Sequence, residues 1–120
     1  MKRDRSIVLV VDDEPSLRLL CRVNLELEGH RVLEAGTVAA AREILTAERI
    51  DVVLLDVHVG PDSGLDLLDD IEGLDLPVRV VMLSGTSEIS PSIRARVSGV
   101  LGKPFALGEL AAAVSDEAVR

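Results

Sequence analysis

Four short apolar runs in this chain stop at residues that could do chemistry. Ile7, Val8, Leu9, Val10 and Val11 run into Asp12, Asp13 and Glu14. Val52, Val53, Leu54 and Leu55 run into Asp56. Val80, Val81, Met82 and Leu83 reach Ser84, Gly85 and Thr86, and the pair Val100 and Leu101 is followed by Gly102 and Lys103. Carboxylates brought together repel, which raises their pKa values unless a cation joins them, and oxygen-only donors with room for water suit Mg2+. An ammonium and a hydroxyl at the edge of such a cluster suit an anion whose charge is spread over several oxygens. Each residue also has a plainer role: Asp56 or Ser84 as a turn former, Asp12 or Asp13 as a helix cap, Lys103 as a solvated surface charge. The choice depends on whether the fold gathers them.

The elements around them argue that it does. The run from Val52 to Leu55 is too short for a helix and lies between Asp51 and the turn-rich residues Gly60, Pro61, Asp62, Ser63 and Gly64. Its unbroken apolar character suits a central strand covered on both faces by helices. Ile7 to Val11 reads the same way. Pro15 suits a first helical turn, and Leu17, Leu20, Cys21, Leu25 and Leu27 recur at helical spacing until Gly29, so a helix is expected over 15–28. Arg31 to Ala35 reads as a short strand. Thr37 can cap a second helix that buries Val38, Ala41, Ile44 and Leu45. A third helix is expected over 64–71, a strand over 78–83, a short helix over 91–98 with Ser90 as cap and Pro91 first, and a brief strand at Val100 and Leu101. Leu107, Leu110, Ala111, Val114 and Ala118 make a last amphipathic helix. Strands alternating with helices give a (βα)5 chain with right-handed crossovers and a parallel sheet. Ligands of such sheets bind beyond the carboxyl ends of the central strands, where Asp12, Asp13, Asp56, Ser84 and Lys103 all fall.

Composition limits the alternatives. A chain of 120 residues with 48% hydrophobic and 28% charged content suits one globular domain, 1–120. Its net charge of −8, with scattered Lys and Arg, disfavours a nucleic-acid or anionic-membrane surface. The single cysteine, Cys21, sits in an apolar helical pattern and reads as a small buried hydrophobe, which excludes a disulfide framework. No stretch is long and apolar enough for a membrane span or a signal peptide, so a cytoplasmic location is expected.

In combination, Asp12-Asp13, Asp56 after an apolar strand, Gly64 beyond it, Ser84 and the Lys103-Pro104-Phe105 tripeptide resemble the response-regulator receiver domains of two-component signalling. They occur in that family's order and near its spacing, and the resemblance covers essentially the whole chain. It implies a doubly wound, flavodoxin-like fold with a five-stranded parallel sheet in the order 2-1-3-4-5. It implies that Asp56 accepts a phosphoryl group from a sensor histidine kinase, a phosphotransfer protein or a small phosphodonor. Mg2+ would be held by Asp13, Asp56 and the backbone carbonyl of His58, with Asp12 helping directly or through water. Ser84 and Lys103 would bind the phosphoryl oxygens, and a cis peptide before Pro104 would aim the lysine inward. The protein would be a signalling switch that assists its own phosphorylation rather than an enzyme, acting on a downstream protein without touching nucleic acid or membrane. The His58 imidazole either tunes the lifetime of the acyl phosphate or is a bystander to its own backbone.

Several positions depart from the family pattern. Gly60 followed by Pro61 stands where a proline usually falls four residues after the acceptor. Val100 replaces the aromatic residue whose rotation reports phosphorylation, and a β-branched side chain has too few χ1 states and too little surface to do so. The segment between Ser84 and Lys103 is shorter than usual. Ser84, Gly85, Thr86 and Val100 are therefore the candidate switch residues, with the loop after Ser84 expected to move. Ala106 lacks the side-chain cap that would help the last helix. A haloacid-dehalogenase-type phosphatase would need Asp-x-Asp after the first strand, which Val11-Asp12-Asp13-Glu14 does not supply. The remaining alternative is a receiver-like interaction module that works without phosphorylation.

Overall fold

The apolar runs that end in polar residues form neighbouring strands. The computed structural model describes residues 5–85 and 89–115. In it β1 (Ile7–Val11), β2 (Arg31–Ala35) and β3 (Val52–Asp56) join two later strands, β6 (Arg79–Ser84) and β7 (Gly99–Gly102), in one parallel sheet ordered β2-β1-β3-β6-β7. The two later strands are the fourth and fifth of the sheet, so this is the expected 2-1-3-4-5 order. Between β3 and β6 lies a hairpin absent from the sequence reading, β4 (His58–Val59) against β5 (Asp62–Ser63). Gly60 takes φ +63° as the first of its two turn residues, a conformation open to glycine in tight hairpins. That turn accounts for glycine preceding Pro61.

Among the described residues five helices flank the sheet: α1 (Pro15–Leu27), α2 (Val38–Ala47), α3 (Gly64–Gly73), α4 (Pro91–Arg94) and α5 (Leu107–Ser115). Thr37 caps α2 by accepting from the Ala40 amide at 3.0 Å, and Ser63 caps α3 by accepting from the Leu65 amide at 3.1 Å. Ala106 offers no side-chain acceptor, but its own amide donates to Glu109 Oε1 at 2.9 Å, so half of a capping box survives.

Strand alternation divides the core in two. Leu9, Val11, Val53, Leu55, Val80 and Met82 pack with the buried residues of α2 and α3. Val8, Val10, Val52, Leu54, Val81, Leu83 and Leu101 pack with Cys21, Leu25, Leu110 and Val114 of α1 and α5. Val52 to Leu55 are completely buried. Burial of each such side chain contributes roughly 1.5–3 kcal/mol, so β3 is anchored from both sides up to Asp56.

The fourth helix is shorter than its sequence pattern suggests. Only residues 91–94 are helical, and no residue of α4 is buried. The chain then tightens through Arg96 N–H to Ile93 O at 2.9 Å, and Ser98 N–H joins the carbonyl of Val80 at 2.8 Å. Arg96 meanwhile reaches across to Glu72 and Asp69 of α3 at 2.7 and 2.6 Å. Pairing with β6 and the tie to α3 draw residues 95–98 out of the helix.

Candidate functional site

The parallel sheet presents the carboxyl ends of its strands on one edge, and the acids read from the sequence meet there. One carboxylate oxygen each from Asp12, Asp13 and Asp56 lie within 4.8 Å of one another. Asp12 ends up buried, 1% exposed, just past β1, and is held at four points. Its amide donates to Ala35 O at 3.1 Å, and its carbonyl accepts from Arg18 Nη1 at 2.7 Å. Oδ1 accepts from the Glu14 amide and Oδ2 from Lys103 Nζ, both at 2.9 Å. Asp13 follows on the exposed surface of the loop. The side-chain cap considered for α1 is missing: its N-cap position is Glu14, without a side-chain hydrogen bond.

Asp56 closes β3, half-buried, with Lys103 Nζ 3.4 Å from its Oδ2. Burial pushes the Asp56 carboxyl above its ordinary range and the Asp12 charge adds to this, while the Lys103 ammonium and the His58 backbone N–H oppose it. For Lys103, burial works against the charged form, but the hydrogen bond to Asp12 and the charges of Asp12 and Asp56 outweigh it, so its pKa is raised. The ammonium is a fixed positive charge at neutral pH. Lys103-Pro104 is a cis peptide, as expected, and the Lys103 amide donates to Ser84 O at 2.6 Å. Ser84 itself is buried at the end of β6.

Gly64 lies against the acceptor strand. A Cβ on it would stand 2.0 Å from the backbone carbonyl oxygen of Asp56, while the Gly64 amide donates to Val57 O at 2.7 Å. Glycine here permits α3 to start directly beside Asp56. His58 is exposed on β4. Gly85 is exposed after Ser84, Thr86 lies outside the described residues, and Val100 is partly buried against the α2 and α3 side of the core. Cys21 is fully buried beneath β1, and burial, with Asp12 second, pushes its thiol up to about 11, leaving it protonated and inert at neutral pH.

Arg18 and Glu34 were not singled out by spacing. Arg18 Nε donates to Glu34 Oε1 at 3.0 Å while its Nη1 holds the Asp12 carbonyl, and Arg22 Nη1 takes the other Glu34 oxygen at 2.9 Å. The available signal was a lone acid inside the strand Arg31–Ala35, at a position otherwise filled by apolar residues. A shallow cleft of about 340 Å3, lined by Leu17, Leu20, Pro104 and Phe105 among others, opens beside Lys103.

The donor set fits a small hard cation. All three side-chain donors are carboxylate oxygens, and their spread of 4.8 Å compares with about 4.2 Å between opposite corners of a Mg2+ octahedron. Asp56, whose carboxyl is raised first by burial and then by the Asp12 charge, is a carboxylate that such an ion would help to keep ionised.

Comparisons with known proteins give the same family throughout. The model of the response regulator receiver domain matches residues 8–115. Over 110 residues the chain is 34% identical to the transcriptional regulatory protein KdpE of Mycobacterium tuberculosis, covering 89% of this chain and 48% of that protein. It is 30% identical to sporulation initiation phosphotransferase F of Bacillus subtilis, covering 89% of both. The chain thus spans about half the length of the first of these and most of the second. Among solved structures, a CheY-like receiver domain from Methanospirillum hungatei superposes with a TM-score of 0.85 at 22% identity, over 94% of this chain and 93% of that one, a likeness of fold.

Proposed function

The chain belongs to the response regulator receiver family, and from that premise we propose that it is a Mg2+-dependent phosphoacceptor whose Asp56 takes a phosphoryl group from a sensor histidine kinase or a phosphotransfer protein. The observation that carries this reading is the meeting of Asp12, Asp13 and Asp56 with Lys103 at one sheet edge. One Asp56 oxygen attacks phosphorus, the P–N bond of the donor phosphohistidine breaks, and the imidazole leaves with that electron pair. The product is an acyl phosphate, which water later returns to carboxylate and inorganic phosphate. Mg2+, held by Asp13, Asp56 and the His58 carbonyl with Asp12 close by, would supply charge neutralisation for the equatorial oxygens. Lys103 is then free to exchange its carboxylate partners for a phosphoryl oxygen, and the Ser84 hydroxyl supplies a second donor. Both act as fixed electrostatic stabilisers rather than as acid or base. The cleft beside Lys103 leaves room for an approaching protein donor, and likeness to a relative named as a phosphotransferase supports the same chemistry.

In this reading the protein is a cytoplasmic signalling component rather than an enzyme with a released substrate. Among the described residues no helix is long and apolar enough to cross a membrane. The output is a protein partner whose binding changes with phosphorylation. Incubation with a small phosphodonor and Mg2+, read by intact mass, is expected to give a single labile phosphoryl adduct. Asp56→Asn conserves shape while removing the nucleophile, so it is expected to abolish the adduct with the fold unchanged. An adduct surviving in that variant would move the acceptor to Asp12 or Asp13. No adduct on the wild-type protein would favour the phosphorylation-independent interaction module.

A further inference from the structure

Arg18 touches none of the groups proposed to react, yet it is tied directly to the loop that carries Asp12 and Asp13. Its side chain is only 18% exposed. Nη1 grips the carbonyl of Asp12, which belongs to the peptide unit joining Asp12 to Asp13, and Nε is anchored on Glu34 of the edge strand β2. Glu34 is itself held from its other oxygen by Arg22, and these arginine bonds, with that of Arg22 first, keep its carboxyl below the usual range. The Arg18 charge is thus balanced at 3.0 Å by a carboxylate that stays ionised. Space on the far side is closed by Gly36: a Cβ there would stand 2.9 Å from Arg18 Nη1.

We infer that Arg18 is a positioning residue for the metal-binding carboxylates, clamping the Asp12–Asp13 peptide between α1 and β2 so that Asp13 faces the site. This rests on the proposed reading of the cluster as a Mg2+ site. Two effects of the guanidinium have opposite signs, which makes the inference decidable. As a bare positive charge near the site, Arg18 would repel Mg2+, and its removal would tighten binding. As a clamp, it orders a ligand-bearing loop, and its removal weakens binding. Glu34 screens the first effect, so the second dominates.

The experiment is Mg2+ titration by calorimetry on the full chain, paired with urea denaturation of each variant. Arg18→Met is expected to weaken Mg2+ about tenfold, the low end for outer-shell partners because the contact is to the ligand's backbone. Gly36→Ala keeps the charge but pushes the guanidinium off the Asp12 carbonyl. The atom it meets is the end of a flexible side chain, and Gly36 does not occupy positive φ, so the fold tolerates the methyl. It is expected to weaken Mg2+ about threefold, and to add nothing further in an Arg18→Met background. Arg22→Gln breaks the other bond to Glu34 without touching Asp12 and lies at the surface, so it is expected to lower stability only slightly and leave Mg2+ affinity unchanged.

Tighter binding by Arg18→Met would mean that only charge acts and would overturn the inference. So would equal losses for Arg18→Met and Arg22→Gln, which would make the effect one of general stability. Should Arg18→Met not fold, Gly36→Ala carries the decision, and unchanged affinity there overturns the inference. Wild-type protein that does not bind Mg2+ removes both the clamp and the proposed site; wild-type binding with indifferent variants removes the clamp alone.

Discussion

The loop after β1 and the segment after β6 leave the same edge of the sheet, yet they are held very differently. Asp12 is tied at four points, buried, and backed by the Arg18–Glu34 pair. On the other side, Gly85 is exposed, α4 is a single turn with no buried residue, and residues 95–98 are steadied by strand pairing and by Arg96 reaching α3. In the proposed function this difference separates chemistry from read-out. Charged groups that must stabilise a transferring phosphoryl gain from being preorganised, whereas a segment that reports a state must have two arrangements close in free energy.

The comparison breaks most easily at Gly64. A methyl group there would collide with backbone rather than with a side chain able to move, so Gly64→Ala is expected to cost at least about 1–3 kcal/mol and to slow adduct formation on Asp56. Urea denaturation and the mass assay would report the two effects. A loss below about 0.5 kcal/mol with unchanged phosphorylation would show that the acceptor end is less tightly built than its contacts imply.

Loading with phosphoryl or a metallofluoride mimic sharpens the comparison from the other side. Amide resonances are expected to shift more at Gly85 and over residues 89–92 than along residues 107–114 of α5, because Ser84 is followed by the exposed Gly85 and α4 buries no residue. Val100 cannot carry the signal by rotating. Large shifts in α5 with a quiet segment after Ser84 would return the read-out to the helix.

A smaller effect is expected from Arg96→Ala. Its ion pairs lie at the surface and contribute little to stability, but they tie residues 95–98 to α3. Faster amide exchange over residues 91–98 with unchanged Mg2+ affinity would keep the two regions independent. Equal acceleration in the loop after β1 would show that they open together.

The smallest effect concerns acid. Arginine bonds lower the pKa of Glu34 below its ordinary 4.5 in the folded chain. Its contribution to stability is therefore fully present above the unfolded value and lost as pH falls through the lower folded one. Between about pH 5 and 3 the wild type should lose more stability than Glu34→Gln, as followed by denaturation at each pH. Parallel losses would mean that Glu34 is not a pH-dependent support of the clamp.

What could be read from the sequence was local and periodic. Unbroken apolar runs at Ile7–Val11 and from Val52 to Leu55 declare buried strands because a sheet covered on both faces hides every side chain of so short a segment. Alternation with helices then implies a parallel sheet, and a parallel sheet places Asp12, Asp13, Asp56 and Lys103 at one edge. Tertiary structure alone decided the rest. The loss of helix after Arg94 depends on Val80, Asp69 and Glu72, neighbours distant in the chain, while the pairing of His58 with Ser63 is local but runs over only two residues on each side of its turn. Gly64 pressed on the Asp56 carbonyl and Arg18 spanning from Glu34 to Asp12, across 16 and 6 residues, are contacts that need strand ends and helix starts already in place. Such contacts leave no periodic trace. A hydrogen bond or a steric limit is set by position in space, and residues far apart in sequence acquire that position only when the sheet has formed.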